Sequence, residues 1–250
     1  MTTARPVRRL AGASLAMALL FALLPGSTLA ARTHTIDLGA RADFVPQTNF
    51  VQCVGASMQM MLNIIEPGRD RTARTQRRLQ ELARTWSGSR PDGRQRQGAS
   101  VRGWAAGLNI LGAGPYKLVG EDSVQAALRT AARAIAETGK PVGLLVWRGR
   151  HAWVMTGFKA TADPLATDDF TVTRAIVMDP LYPYGSSVWG PSPRPGQPIT
   201  PTVLGRQFVP RRMGSWSSGQ PPGVQSQLGG KYVLVLPYLT DLAERAALTR

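Results

Sequence analysis

The sequence predicts an α+β fold in which a helical half precedes a half made of antiparallel strands. Four segments that read as helices fall before residue 140, and four apolar or β-branched runs that read as strands follow it. Helices grouped first and strands grouped afterwards are typical of α+β proteins rather than of alternating α/β folds. We expect a single domain over 31–250, because a chain of this length can bury one sizeable core.

Residues 1–30 have the three parts of a secretory signal peptide. Three arginines form a basic start, Leu10 to Leu24 form an apolar stretch, and small residues end the segment at Ala30. The apolar stretch is shorter than the ~20 residues of a membrane-spanning helix, which favours cleavage over an uncleaved anchor. We therefore expect cleavage near Ala30 and a protein that is secreted or held in the cell envelope.

The helical segments are marked by apolar residues at helical spacing and by residues that start or stop helices. We expect helices over 53–65, 69–86, 101–111 and 123–138. Glu66-Pro67-Gly68 ends the first of them, and Ser123 and Gly139 are the expected N-cap and end of the last. Five side chains are expected to anchor the second and third helices in the core: Leu79, Leu82, Trp86, Trp104 and Leu108.

Strands are expected where β-branched and apolar runs are bounded by Gly, Pro or Asp. These runs cover 142–147, 152–158, 170–178 and 232–236. Residues 182–230 are crowded with Pro, Gly and Ser and read as a long, irregular connection between strands. Because long ordered loops tend to be functional, we expect this connection to help form substrate subsites, with Trp189 and Trp216 as candidate walls.

The cysteine and histidine content points to one kind of chemistry. Cys53 is the single cysteine, and His151 is the only histidine beyond the short lead-in that contains His34. A lone cysteine forms no internal disulfide, so the thiol is either buried core filler or chemically used. Cys53 opens a helix, whose positive end favours a thiolate. His151 begins a strand-like run, which makes these two residues a candidate nucleophile and base.

A carboxylate that orients the imidazole is the expected third member of such a site. Asp179 ends the strand that follows His151, where it can lie on the neighbouring strand and accept the imidazole Nδ1–H. Three other aspartates are alternatives that fall in the polar connection between these strands: Asp163, Asp168 and Asp169. We prefer Asp179 because a strand end places its side chain beside the histidine.

A glutamine upstream of the cysteine can supply the oxyanion site. Gln47 lies six positions before Cys53, and its uncharged amide offers N–H donors to a developing oxyanion. The backbone N–H of Cys53 is the expected second donor. Gln52 is the alternative, but direct adjacency to a nucleophile does not place a side chain at the oxyanion.

Other classes of chemistry find little support in the sequence. One cysteine and one usable histidine fall short of the ligand sets that zinc prefers, and no HExxH, Walker or GxSxG motif is present. We therefore expect no metal and no cofactor. The net charge is +15, yet the aromatic and basic interleaving of single-strand binders is missing, so no specific nucleic-acid partner is expected. The charge suits an anionic cell-wall polymer or a membrane surface.

The motifs, taken in chain order, resemble those of the papain-like cysteine peptidases. They are Pro46-Gln47, Cys53 with Ala56-Ser57 on a helix, a strand beginning at His151, and Val177-Met178-Asp179-Pro180. The likeness is greatest to the bacteriocin-processing, double-glycine leader peptidases of bacteria and their stand-alone relatives. The resemblance implies a papain-like fold, with a helical half that carries the nucleophile packed on an antiparallel sheet half. It also implies four roles: Cys53 as nucleophile, His151 as base, Asp179 as orienter and Gln47 as oxyanion donor.

The sequence thus predicts an exported cysteine peptidase that hydrolyses a peptide or isopeptide bond in a peptide or protein substrate. One alternative is a cell-wall amidase or endopeptidase of a related fold, whose substrate would suit the positive charge. That group usually has Asp-Cys-Ser at the nucleophile, where this chain has Gln52-Cys53-Val54. The other alternative is a papain-like binding protein whose thiol is inert.

Overall fold

The computed structural model of the chain describes Met1 and residues 33–68, 70–88, 97–213 and 228–240. The chain divides into two units, residues 1–31 and 32–250, and the described fold is that of the second unit. The expected signal peptide, apart from Met1, and Trp216 lie outside the described residues.

An antiparallel sheet of seven strands forms the centre of the fold. The described strands are β1 (His34–Asp37), β2 (Tyr116–Glu121), β3 (Val142–Val146), β4 (His151–Ala160), β5 (Val172–Met178), β6 (Gly185–Ser186), β7 (Gly190–Pro191), β8 (Gln197–Ile199) and β9 (Tyr232–Pro237). The main sheet has the order β2-β9-β3-β4-β5-β8, and β6 pairs with β7 in a separate ribbon. The first half of β4 pairs with β3, and its second half pairs with β1.

Helices cover both faces of this sheet. The described helices are α1 (Cys53–Ile65), α2 (Ala73–Thr85), α3 (Val101–Ile110), α4 (Val124–Thr138) and α5 (Pro201–Leu204). Because side chains alternate along a strand, Ala152 and Val154 of β4 join the core that contains α1 to α3, whereas Trp153 and Met155 join the core that contains α4. The fold is therefore α+β, with the three helices that follow β1 on one face and α4 on the other.

Most of the predicted elements are present, with shifted boundaries. The Ser123 hydroxyl caps α4 by accepting a hydrogen bond from the Ala126 N–H at 3.1 Å, and Gly139 ends this helix in the left-handed conformation, with φ 63°. The second helix begins at Ala73 rather than at residue 69, because Thr72 caps it by accepting a bond from the Thr75 N–H. Strand β4 extends beyond its predicted run at both ends.

The expected burial of Trp86 was wrong, since its side chain is 48% exposed. Helix α2 ends at Thr85, and α3 crosses it very closely at Gly103. A Cβ atom on Gly103 would lie 1.9 Å from the Ala83 carbonyl oxygen. This close approach leaves no room for an indole between the two helices, so Trp86 turns outward.

The edge strands of the sheet and the regular elements within residues 182–230 were not predicted from the sequence. Strand β2 is an edge of the sheet, and of its residues only Tyr116 is buried, so its sequence shows little alternation. The segment 182–230 was expected to be irregular, but its described part contains β6, β7, β8 and α5. Within the described ranges, none of the helices combines the length and apolar character needed to cross a membrane.

Candidate active site

Cys53 is the first residue of α1, and its thiol is partly exposed. The N-cap residue, Gln52, makes no side-chain capping bond. Instead, the buried side chain of Gln80 on α2 accepts a hydrogen bond from the Gly55 N–H at 2.9 Å and donates one to the Val51 carbonyl at 2.9 Å. A neighbouring helix thus satisfies a backbone group that a helix start leaves unpaired. The positive end of α1 lies at Cys53.

His151 and Asp179 form a buried hydrogen-bonded pair. The imidazole Nε2 lies 2.7 Å from Asp179 Oδ1, and the two side chains are 4% and 0% exposed. Asp179 Oδ1 also accepts a bond from the Leu181 N–H at 2.8 Å, and Oδ2 accepts one from the Ser192 hydroxyl. Both carboxylate oxygens are therefore engaged, which fixes the carboxylate and, through it, the imidazole ring.

The ring nitrogen that meets Asp179 differs from the one expected, which was Nδ1. The strand register pairs Val154 with Met178, so Asp179 follows beside Trp153, two residues along from His151. Diagonal neighbours in a sheet are about 7–8 Å apart. Nε2 lies further from the backbone of His151 than Nδ1 does, so it spans that separation better. The arrangement leaves Nδ1 as the nitrogen available to Cys53.

Cys53 and Asp179 both contribute to the pKa of His151. Burial acts to lower the pKa, because it penalises the charged imidazolium. The hydrogen bond to Asp179, the hydrogen bond and charge of Cys53, and the charge of Asp179 outweigh burial and raise the pKa of His151 to about 9. The raised pKa favours the imidazolium form of His151 at neutral pH.

Trp147 covers one face of the imidazole. The two ring centroids are 4.2 Å apart with the planes inclined at 24°. Gln207 fixes the indole, because its backbone carbonyl accepts a bond from the Trp147 N–H and its side-chain oxygen accepts one from Nε1, each at 2.9 Å. The sequence analysis placed Trp147 at the end of a strand, whereas β3 ends at Val146 and Trp147 has a positive φ of 56°.

Gln47 lies beside the strand end that carries Asp179. Its backbone N–H donates to the Pro180 carbonyl at 2.7 Å, and its side-chain Nε2 donates to the Asn49 carbonyl at 2.9 Å. An amide nitrogen carries two N–H donors, and among the described residues only one of them has a partner here. The alternative, Gln52, is buried, and its side-chain oxygen accepts a bond from the Thr48 hydroxyl at 2.5 Å. Gln52 thus supports the same loop.

A second glutamine of α2 holds the loop that contains Gln47. The buried side chain of Gln76 donates to the Pro46 carbonyl at 3.0 Å and accepts bonds from the N–H and hydroxyl of Thr48 at 2.8 and 3.0 Å. Gln80 lies one helical turn further along and holds the start of α1. The two helices meet closely at Gly55, where a Cβ atom would lie 2.7 Å from the Gln76 carbonyl oxygen.

The other aspartates considered as orienters lie elsewhere. Asp163 is 3.8 Å from His34, and Asp168 pairs with Arg133 at 2.5 Å. Among the described residues, Asp179 alone of the four candidates contacts His151. Within the residues that the structure describes, no group of three His, Cys, Asp or Glu side chains is placed to hold a metal ion.

Several supporting residues were not found by sequence reasoning. They are Gln76, Gln80, Trp147, Ser192 and Gln207. A glutamine on a basic helix is ordinarily a surface residue, so nothing in the sequence marks the two on α2 as buried. Ser192 and Gln207 fall in the Pro- and Gly-rich segment, whose lack of periodicity hides which side chains face the site.

Comparison with known proteins adds no family to this description. No protein-family model matches the chain, and no curated protein matches its sequence. The fold and the geometry around Cys53, His151 and Asp179 therefore carry the functional argument.

Proposed function

We propose that the protein is an exported, papain-like cysteine peptidase that hydrolyses a peptide or isopeptide bond. One observation carries the proposal: the buried carboxylate of Asp179 lies 2.7 Å from Nε2 of His151, and Cys53 acts with it to raise the pKa of the imidazole. A thiol at a helix start beside an imidazolium is favoured as a thiolate. Nucleophilic catalysis by cysteine requires this pairing, with a third group that orients the base.

The first half of the proposed reaction forms a thioester. The Cys53 thiolate attacks the substrate carbonyl carbon, and the carbonyl electron pair moves to oxygen. The backbone N–H of Cys53 and the second amide N–H of Gln47 stabilise this oxyanion. The C–N bond then breaks, and the leaving amine takes the Nδ1 proton of His151. Nε2 keeps its bond to Asp179 throughout, which holds the ring in place.

The second half of the reaction hydrolyses the thioester. The neutral Nδ1 of His151 accepts a proton from water as the water oxygen attacks the acyl carbon. The second oxyanion occupies the same donors, and the C–S bond breaks to release the acid and the Cys53 thiolate. His151 is an imidazolium again, so the site returns to its starting charge state.

Cleavage assays with matched variants test this proposal. We expect the wild-type protein to cleave members of a mixed peptide library, and Cys53→Ala and His151→Ala to lose about a thousandfold or more of that activity. His34→Ala removes the only other histidine and should keep full activity. Retention of peptide cleavage by Cys53→Ala would contradict the mechanism. Cleavage of purified cell-wall polymer in place of peptides would assign the chain to the amidase or endopeptidase alternative.

A further inference from the structure

We infer that a basic pocket beside the candidate active site binds an acidic side chain of the peptide substrate. The pocket has a volume of about 840 Å³. Three arginines line it together with two aromatic side chains: Arg41, Arg71, Arg194, Phe44 and Tyr182. The inference rests on the proposed peptidase function, and it names the substrate class that the peptidase prefers.

The three arginines come from separate parts of the chain. Arg41 follows β1, Arg71 precedes α2, and Arg194 follows β7. All three are exposed, none forms an ion pair with a described residue, and no acidic residue lines the pocket within the described ranges. Like charges gathered in a concavity raise the local positive potential. A carboxylate in the pocket would be attracted by all three guanidinium groups, which match its planar geometry.

The aromatic side chains give the pocket an apolar wall. Phe44 and Tyr182 are both partly buried and meet edge to face, with ring centroids 6.1 Å apart and planes at 78°. A lining that combines aromatic and cationic side chains fits a ligand that has a short apolar stem and an anionic end. Glutamate and aspartate side chains have this form.

The pocket adjoins the candidate site through the backbone. Phe44 is three residues before Gln47, and Tyr182 is three residues after Asp179. The bond from the Gln47 N–H to the Pro180 carbonyl, 2.7 Å long, joins these two segments, and the Tyr182 N–H donates to the Asp179 carbonyl at 3.0 Å. A side chain bound in the pocket would thus lie against the segments that carry the proposed oxyanion donor and orienter.

The shape of the pocket favours a peptide side chain over a membrane or a polymer surface. An extended anionic surface is bound by basic residues that spread over an exposed face. Here the three arginines line a concavity of about 840 Å³, a volume that suits individual side chains. The positive charge at this place therefore acts as a specificity determinant for the substrate rather than as a general anchor.

Binding to the inactive full-length Cys53→Ala variant tests the pocket separately from catalysis. The probes are a blocked tetraglutamate peptide and its tetraglutamine counterpart, measured by calorimetry at low and high salt. We expect the tetraglutamate to bind more tightly, and each of Arg41→Gln, Arg71→Gln and Arg194→Gln to weaken it about two- to fivefold. Added salt should reduce the difference between the probes. Arg78→Gln removes an equal charge from an exposed position on α2 outside the pocket and should leave binding unchanged.

Cleavage by the active protein gives the second readout. A positional peptide library should show one subsite that prefers an acidic residue. The triple variant, which combines Arg41→Gln, Arg71→Gln and Arg194→Gln, should lose that preference through a change in KM rather than in kcat. Equal binding of both probes, or an acidic preference that survives in the triple variant, overturns the pocket assignment. Binding of anionic phosphatidylglycerol vesicles without binding of tetraglutamate also overturns it, in favour of a membrane contact. Failure to cleave any peptide, with tetraglutamate still bound through the arginines, counts against the peptidase proposal alone.

Discussion

Trp147 stacks on His151 with the ring centroids 4.2 Å apart. Both Trp147 and Arg148 have a φ of 56°, a conformation that non-glycine residues rarely adopt. A residue held there costs about 1–3 kcal/mol and persists only when its surroundings fix it. The two bonds from Trp147 to Gln207 supply that constraint. The indole shields one face of the imidazole, and its π-electrons favour the imidazolium.

Replacement of Trp147 tests this contact. We expect Trp147→Ala to slow both peptide cleavage and alkylation of Cys53 by about two- to thirtyfold, the range of a cation–π contact that is partly removed from water. Trp147→Phe keeps an aromatic face and should retain most of both rates. The melting temperature of each variant separates a local effect from loss of the fold. Unchanged rates in a folded Trp147→Ala protein would show that the stacking has no part in the chemistry.

The pKa of His151 can be measured directly, because the chain has only two histidines. We expect an NMR titration to give a pKa of about 9 for His151. In Cys53→Ala the pKa should be lower, because the hydrogen bond and the charge of the sulfur no longer favour the imidazolium. His34 pairs with Ala160, at the opposite end of β4 from His151, so its signal should be the same in the two proteins. An identical pKa for His151 in both would mean that sulfur and imidazole do not interact.

The same pKa makes the stability of the fold depend on pH. The folded pKa of about 9 lies above the ordinary value of 6.5, so between these values the folded state binds more protons than the unfolded state. This contribution to stability is complete below pH 6.5 and is lost as the pH rises through about 9. The titration of His151 alone lowers the free energy of unfolding as the pH rises over this range, whereas a Cys53 thiolate, which loses a proton on folding, has the opposite effect.

Urea unfolding of Cys53→Ala between pH 6 and pH 10 measures this fall, because no thiol titrates in that variant and Asp179 still raises the pKa of His151. Cys53→Ala combined with His151→Gln provides the control, since it lacks the titrating imidazole and should show a flatter dependence over the same range. If the free energy of unfolding of Cys53→Ala rises with pH relative to this control, the sign of the His151 contribution is wrong.

Gln80 is expected to act as a positioning residue for the nucleophile. Gln80→Met would leave the Gly55 N–H and the Val51 carbonyl without their partner, at a cost of about 1–3 kcal/mol for the buried Gly55 N–H. We expect it to lower the rate of Cys53 alkylation as well as stability, because the start of α1 loses its anchor. Gln59→Met is a matched control: Gln59 is equally buried on α1, but it binds the carbonyls of Asp70 and Thr72.

Stability should fall in both glutamine variants, whereas alkylation should slow only in Gln80→Met. Equal alkylation rates in folded Gln80→Met and Gln59→Met would show that Gln80 stabilises the fold but does not position the thiol.

The main features of the fold could be predicted because local signals and tertiary structure agree. Ser123 and Gly139 mark the ends of α4 in the sequence, and they cap it in the structure. Trp86 could not be placed correctly, because the crossing of α2 and α3 at Gly103 decides its position. Strand β2 was missed because an edge strand with one buried residue has no clear alternation.

The candidate site was predictable at its centre and not at its periphery. The sequence marks Cys53, His151 and Asp179 because each begins or follows a regular element. The structure pairs His151 with Asp179 at 2.7 Å, and Cys53 contributes to the raised pKa of the imidazole. The choice of Nε2 over Nδ1 depends on the register of β4 and β5, which the sequence does not reveal. Gln76, Gln80 and Gln207 act through long-range hydrogen bonds, for which a single sequence offers no pattern.

The rate at which iodoacetamide alkylates Cys53 tests the central claim most directly, because the chain has no other cysteine. A free thiol is under about 1% thiolate at pH 6, so its alkylation at that pH is slow. We predict that the wild-type protein is alkylated at pH 6 at least about tenfold faster than His151→Ala, since the imidazolium favours the thiolate. Equal rates in the two folded proteins, both matching a free cysteine, would contradict the account.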